Sequence, residues 1–400
     1  MKHAQKLNHL APYLFAQIDE LIEEKQRQGK KLWILSKSDP DRPTNPGMVE
    51  TLREEAVEPA NHHYPDFDGL IELRQRAAAW YRHYYDVALD PETEILPLLG
   101  SKEGIAHLSE ALLDPGDIAL VPDPAFPTYK TGTLLAGATP FTMPLTAPDF
   151  LPRFADIPTE TARAAKLMFL NYPHNPSGAT VDLAFWHKAF DFAEENDIVL
   201  VNDHAYAMTT FRPGVAPSLL MVPESKSRCL EFFTFSKAFH MAGWRLGLAV
   251  GNAEVIRALK IIETHINAGI FNPIQYAGAT ALRQGLRPSS FQRDNREYEK
   301  RLTLLAGFFN SFGWELTVPD ATVYLWVPAP QGMDGETFTH FLLDKAEVVV
   351  SPGSGFGEEG KEYVRICVTY PTEVVEGAIE AMTKAFSAYR VTPQPRRHTA

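Results

Sequence analysis

From residue 94 onward, short and nearly continuous apolar runs alternate with amphipathic stretches, and this alternation restricts the fold more than any other feature of the chain. The runs are EILPLLG, DIALVP, ATPFTMP, KLMFLNY, IVLVND, CLEFFTF and LGLAV, with helical patterns reaching Leu113, Leu135 and Glu195 after the first, second and fourth. Runs apolar at every position need cover on both faces, and strands separated by helices lie parallel. The expected class is α/β: a large doubly wound domain with a mostly parallel sheet. After residue 290 a long helical pattern extends to about 312, then come ATVYLWVP, a helix at 334–345, EVVVSPG, YVRICV and a last helix from about 373. That order predicts a smaller α+β domain.

Ahead of this body, Leu14, Phe15, Ile18, Leu21 and Ile22 fall at helical spacing and predict an amphipathic arm. Pro40, Pro43 and Pro46 mark an irregular segment before helical patterns at roughly 48–59 and 69–85. The expected division is 1–45 as arm and part of the small domain, 46–286 as the large domain and 287–390 as the small one. The tail 391–400, VTPQPRRHTA, is expected to be disordered.

Of the 400 residues, 45% are hydrophobic and 22% charged, enough to bury a sizeable core. The formal charge of -12 argues against a nucleic-acid partner, which would need clustered Lys and Arg. No run of eighteen apolar residues exists to span a membrane, and YLFAQIDELIEEK lacks the uninterrupted apolar core of a secretory signal. Cys229 and Cys367, both in apolar runs, cannot make a disulfide framework or a four-ligand metal site. The expected location is therefore the reducing cytoplasm, and no metal is expected.

In an open α/β sheet, ligands sit beyond the carboxyl ends of the strands. The residues there are specific. Gly100, Ser101 and Lys102 follow EILPLL and open a helix, offering free N–H groups, a hydroxyl and the helix dipole to an anion. Asn175 lies in NYPHNPSG; Asp203 and Tyr206 follow IVLVN; Thr234, Ser236, Lys237 and Arg245 lie in TFSKAFHMAGWRLG. Together they meet the needs of a pyridine aldehyde phosphate. Lys237 supplies an amine, Asp203 a carboxylate to keep the ring nitrogen protonated, and Asn175 and Tyr206 donors for the ring oxygen. Arg245, Thr234, Ser236 and Ser101 suit the phosphate, and Phe126 in PDPAFPTY can stack on the ring. Singly, each has an ordinary reading as a surface charge, helix cap, turn residue or core aromatic. Their recurrence at successive strand ends is what points to a cofactor.

These residues resemble the class I/II aminotransferases of pyridoxal phosphate (PLP) fold type I, from about residue 7 to 388. The family's Asn-Pro-x-Gly loop stands as Asn175-Pro176-Ser177-Gly178, its Asp-x-x-Tyr pair as Asp203 and Tyr206, and its Ser/Thr-x-Ser-Lys with a later Arg as Thr234 to Lys237 and Arg245. The resemblance implies pyridoxal 5'-phosphate in the large domain, joined to Lys237. It also makes Lys237 the base that moves the substrate's Cα proton, and implies ping-pong transfer between an amino acid and a 2-oxo acid, with glutamate and 2-oxoglutarate on one side. Arg365 in YVRICV would clamp the substrate α-carboxylate. Tyr64 in YPDFDGLIELR would reach a neighbouring subunit's site, implying a homodimer with shared active sites, and Asn267 or Asn272 would meet the partner's phosphate site.

Within the family, the stretches LNHLAPYLFAQIDEL, LLGSKEGIAHL, LMFLNYPHNPSGA, AFHMAGWRLGLAVGN and VVVSPGSGFGEEG resemble the LL-diaminopimelate aminotransferases and their relatives, including alanine-forming enzymes. Tyr13 would then reach the substrate from the arm. One departure stands out: Ser38-Asp39-Pro40 replaces the usual Gly-Asp-Pro, with Lys37 where an apolar residue is common and Arg42 following. Ser38 keeps an N–H for the substrate, and Lys37 and Arg42 either add positive charge at the substrate's distal end or are solvated loop charges. Alanine or aspartate as donor, a PLP-dependent lyase and a non-catalytic PLP-binding regulator module remain open readings of the same residues.

Overall fold

The computed structural model describes residues 3–10, 12–287 and 289–394; the side chain of Phe15 also lies outside the described set. The seven apolar runs form seven strands of one sheet: β2 (Ile95–Leu98), β3 (Ile118–Asp123), β4 (Thr139–Pro144), β5 (Ala165–Leu170), β6 (Val199–Asp203), β7 (Cys229–Thr234) and β8 (Gly247–Gly251), after a short β1 (Trp33–Ile34). The order is β2-β8-β7-β6-β5-β3-β4, and within this sheet β8 runs antiparallel to both neighbours while the remaining pairs are parallel.

Successive residues of a strand point to opposite faces, and the burial follows. In β5, Leu167 and Phe169 join one core with Leu96, Val201, Phe232 and Ala249, while Met168 and Leu170 join the other with Leu200, Phe233 and Leu248. The first face is covered by α4 (Ser101–Leu112), α5 (Thr128–Leu135) and α9 (Ala253–Ile266), and the second by α3 (Ile71–Tyr85), α7 (Leu183–Glu195) and α10 (Asn272–Gly285). Helices α2 (Pro46–Ala56), α6 (Thr159–Ala164) and α8 (Phe235–Ala238) complete this part. Several start on side-chain caps: Asn45 accepts from Gly47 N, Asp182 from Phe185 N and Asn252 from Val255 N, each at 2.9 Å.

A second core gathers around β9 (Tyr324–Pro328), β11 (Ser351–Pro352) and β12 (Tyr363–Cys367), an antiparallel sheet of order β11-β12-β9. It packs with α11 (Gln292–Ser311), α12 (Gly335–Ala346) and α13 (Thr372–Tyr389) through Leu302, Phe309, Leu342, Ile366 and Phe386. The amino-terminal segment belongs to this part: β1 pairs in parallel with β10 (Val348–Val349). The arm helix α1 (Leu14–Arg27) lays Leu14, Ile18 and Ile22 on Trp326, Leu343 and Phe356. Gly355 is what lets Leu14 approach, since a Cβ there would collide with the leucine side chain.

Two differences from the sequence reading have physical causes. Helices α9 and α10 were not among the expected helical patterns; in α10 the small residues Ala277 to Ala281 and then Leu282 are all buried, so that stretch shows no alternation of apolar and polar positions. Residues 391–394, expected within a disordered tail, are instead ordered: Val391 is buried and Pro393 bridges to Pro330. The rest of that tail, 395–400, lies outside the described residues. Among the described residues no helix is long and apolar enough to cross a membrane.

Candidate active site

The parallel strands β2, β5, β6 and β7 end on one edge of the sheet, and β8, being antiparallel, begins there. Arg245 therefore arrives at the same edge as Ser101, Asn175, Asp203 and Lys237, and all five line one cavity of about 770 Å³.

Asp203 ends β6 and is 6% exposed. Its Oδ2 accepts from the Tyr129 hydroxyl at 2.8 Å, while Oδ1 is buried with no hydrogen-bond partner among the described residues. Burial pushes its carboxyl up to about 6, against the lowering pull of the Tyr129 hydrogen bond and of His204. Asn171 steadies the strand end by donating to the Asp203 carbonyl at 2.5 Å. A buried carboxylate oxygen without a partner, on a residue that lines the cavity, suits a donor from a ligand. A protonated pyridine nitrogen is such a donor.

Thr234, at the end of β7, caps α8 by accepting from Ser236 N at 3.2 Å, and this turn projects Lys237 into the cavity. The Lys237 ammonium donates to the Ser38 carbonyl at 2.6 Å and to the Ser38 hydroxyl at 3.1 Å. Burial pulls its pKa down to about 8, opposed by Asp39 and reinforced by Arg365 and Arg245. A neutral amine is thus accessible near neutral pH.

The anion end is built on Gly100, which takes φ +85 just before α4. A Cβ at Gly100 would collide with the Arg245 guanidinium, so only glycine lets that cation sit against the helix start. Arg245, itself at φ 56, is held by its Nη1 donating to the Ala242 carbonyl at 2.8 Å. The first N–H groups of α4, Ser101, Thr234, Ser236 and Arg245 thus surround a space suited to a phosphate. The Lys102 ammonium turns instead to the rim, 3.0 Å from the Tyr13 hydroxyl and 4.3 Å from its ring centre. At the anion end, Lys102 offers its backbone.

At the opposite end, Arg365 on β12 is 1% exposed. Its Nη1 donates to Asn175 Oδ1 at 2.8 Å and its Nη2 to the Ser36 carbonyl at 3.0 Å, with the guanidinium 4.4 Å from the Tyr324 ring centre and 4.5 Å from that of Phe356. Because its acceptor is engaged by Arg365, Asn175 presents its amide N–H₂ as the donor end. The Tyr206 and Tyr324 hydroxyls are hydrogen-bonded to each other, and burial raises the Tyr206 phenol well above its usual range, keeping it a neutral donor. Phe126 also lines the cavity, with its ring edge-on to Tyr129 at 5.9 Å.

The cavity thus brings together Tyr13, Ser38, Ser101, Lys102, Phe126, Asn175, Asp203, Tyr206, Thr234, Ser236, Lys237, Arg245 and Arg365, with Gly100 directly behind Ser101. Tyr64 lies outside it and is 90% exposed. Neither Asn267, which donates to Glu103 at 3.2 Å, nor Asn272, whose Oδ1 accepts from Gln275 at 3.3 Å, lines it. Lys37 faces the cavity, but Arg42 does not; it pairs with Asp294 at 2.7 Å. The sequence reading missed Tyr129, Asn171, Tyr324 and Asp19. Tyr129 sits three residues beyond Phe126, and an aromatic at a helix start carries no mark that separates a carboxylate partner from a core residue.

The sequence model of the family described as aminotransferase class I and II matches residues 30–382. The LL-diaminopimelate aminotransferase of Moorella thermoacetica is 44% identical over 388 residues, covering 96% of this chain and 98% of its own. That of Desulforudis audaxviator is 43% identical over 380 residues, covering 95% and 96%. Among solved structures, substrate-bound BacF from Bacillus subtilis matches with a TM-score of 0.94 at 34% identity, covering 99% of this chain and 100% of that one.

Proposed function

This chain belongs to the aminotransferase class I and II family and is a PLP-dependent transaminase, and within that activity we propose that it takes its amino group from LL-diaminopimelate and passes it to 2-oxoglutarate. One observation carries the reading of the site: the softened amine of Lys237, the orphaned oxygen of Asp203 and the buried guanidinium of Arg365 meet in one cavity. The donor rests on the relatives that share this chain's full length and bear that substrate in their names.

When bound, PLP supplies an electrophilic carbon and a ring that accepts the electron pair released at the substrate Cα. The residues do the rest. Arg245, Ser101, Thr234, Ser236 and the α4 N-terminus hold the phosphate, and Gly100 allows their approach. Asp203, oriented by Tyr129, would keep the proton on the ring nitrogen. Asn175 and Tyr206 would donate to the ring oxygen, and Phe126, which lines the same cavity, would offer the ring an aromatic contact. Arg365 takes the α-carboxylate through its fork of N–H groups, and the Lys237 amine removes the Cα proton as general base. The Ser38 carbonyl receives the amine when it is protonated.

Residues 46–286 form the cofactor domain, and 1–45 with 287–390 form the domain that carries Arg365. A cytoplasmic homodimer completes the site. Tyr64, Phe67, Ile266 and Phe271 are 90%, 52%, 56% and 41% exposed, and the segments carrying them touch, with Gly269 against Pro65 and the Phe271 and His62 rings 6.2 Å apart. An apolar patch of this kind fits a symmetric interface through which Tyr64 reaches the second site. The test is absorbance of the cofactor-loaded protein as LL-diaminopimelate, glutamate, aspartate and alanine are added separately. Bleaching of the cofactor band by LL-diaminopimelate, and recovery with 2-oxoglutarate, is the expected result; a band bleached by other donors alone rejects the assigned donor.

A further inference from the structure

Lys37 occupies a position pinned to both ends of the active site. Its predecessor Ser36 offers its carbonyl to Arg365 at 3.0 Å, and its successor Ser38 offers its own to Lys237 at 2.6 Å. The Lys37 backbone is fixed as well: its N–H donates to the Tyr370 hydroxyl at 3.1 Å, and its carbonyl accepts from Thr369 at 3.0 Å. From this rigid base the side chain reaches out to Asp19 on the arm helix, with Nζ 2.5 Å from Oδ1. Both residues line the same cavity as Lys237 and Arg365.

The pair is not needed to hold the arm. Helix α1 is seated by Leu14, Ile18 and Ile22 on an apolar surface, and Tyr13 is engaged by Lys102. The side chains of Lys37 and Asp19 are 41% and 45% exposed, and ion pairs that open to water are held weakly, so a ligand can part them at little cost. What remains is a cation and an anion, side by side, lining the same cavity as the buried arginine.

We propose that Lys37 and Asp19 are specificity-determining residues that read the distal end of the substrate, and that they select a zwitterionic amino-carboxylate head. The head's carboxylate goes to Lys37 and its ammonium to Asp19, replacing one ion pair with two. A lone distal carboxylate, as in glutamate, meets a lysine already neutralised by Asp19. The inference rests on the reading above of Lys237 and Arg365 as the reacting end and of LL-diaminopimelate as donor.

The test uses the cofactor-loaded enzyme and its Asp19→Asn and Lys37→Met variants, comparing half-reaction kcat/KM for LL-diaminopimelate and glutamate by stopped-flow absorbance. Each variant loses one charge-assisted contact, so kcat/KM for LL-diaminopimelate falls about tenfold in both, mainly through KM. For glutamate the two variants move in opposite directions. Asp19→Asn unmasks Lys37 and raises kcat/KM several-fold, whereas Lys37→Met lowers it. A shift of both donors by the same factor in both variants makes the pair a tether of the arm and overturns the proposal. So does unchanged turnover of LL-diaminopimelate in both variants while the wild type accepts it. A wild type bleached by glutamate but not by LL-diaminopimelate overturns the donor reading, and this proposal with it.

Discussion

The Tyr129 hydroxyl donates to one oxygen of Asp203 at 2.8 Å and leaves the other, Oδ1, buried without a geometric hydrogen-bond partner among the described residues, on a residue that lines the cavity. The tyrosine thereby fixes which lone pairs of Asp203 would be left for the proposed cofactor contact.

Two substitutions should separate charge from orientation at this pair. Asp203→Asn keeps the shape but cannot hold a proton on the ring nitrogen, and the half-reaction rate should drop by at least about a hundredfold, the cost of removing a preorganised electrostatic contact. Tyr129→Phe keeps the charge and loses one hydrogen bond, so the drop should be about tenfold. Single-turnover absorbance with one donor measures both. Equal losses would mean that Tyr129 does more than orient.

The depressed amine of Lys237 sets a pH profile for cofactor capture. Only the neutral amine attacks an aldehyde, so uptake of PLP by the cofactor-free protein should rise with pH until about 8 and then level off, whereas an ordinary lysine would continue to climb. Asp203 adds a second limit: its carboxyl, pushed up to about 6, should weaken retention of the cofactor as pH falls through that value. The linkage has a definite sign. Because the folded pKa of Lys237 lies below the ordinary lysine range, the unfolded chain binds more protons above about pH 8. The contribution of Lys237 to stability therefore becomes more favourable as pH rises from there into the lysine range. Thermal melts of cofactor-free Lys237→Met protein should lack that slope.

Gly100→Ala should weaken the cofactor more than it weakens the fold. Gly116, at φ +97 with nothing within 4 Å of a built Cβ, is the matched control for backbone strain. Both substitutions cost about 1 kcal/mol in folding for the positive φ. Gly100→Ala alone also pushes back Arg245, so its PLP dissociation constant should rise by about tenfold or more, the loss of one charged contact to phosphate. Equilibrium titration of both variants with PLP decides it.

Glu231 is fully buried on β7 and accepts from Tyr81 at 2.8 Å, Ser218 at 2.9 Å, and Asn202 and Leu219 at 3.0 Å, with His204 Nδ1 also 3.0 Å away. Burial raises its carboxyl, but His204, Asn202 and Tyr81 together outweigh it and hold the group below the usual carboxylate range. Its contribution to stability is therefore present above that range and lost as pH falls through the folded value. Glu231→Ala strands several polar groups in the core and should cost about 3–5 kcal/mol in urea unfolding. A cost below about 1 kcal/mol would show that the pocket collapses or fills with water.

How much of this was legible without coordinates depended on the range of the interaction concerned. The seven strands and the groups at their carboxyl ends were readable because side-chain period and strand position are local, and a parallel sheet aligns those ends whatever the details. Asp203 and Lys237 follow from that rule, whereas Arg245 precedes β8 and reaches the same edge only because β8 runs antiparallel. Helices α9 and α10 were both missed, although α9 buries Val255, Ile256 and Leu259 at helical spacing and α10 buries Ala277 to Leu282 without a break.

The sequence by itself determined the class of fold and the edge of the sheet at which Ser101, Asn175, Asp203 and Lys237 gather, because periodicity and strand position suffice for these. Tertiary structure alone decided which way those groups turn. Lys37 faces the cavity and Arg42 turns away to Asp294, although both are cations in one short loop. Ser38 presents its carbonyl to Lys237, Tyr129 claims one oxygen of Asp203, and Asp19 arrives from the arm to meet Lys37. Each of these is a contact between segments far apart in the chain, and such partners are set by the packing of whole elements against one another rather than by any local pattern.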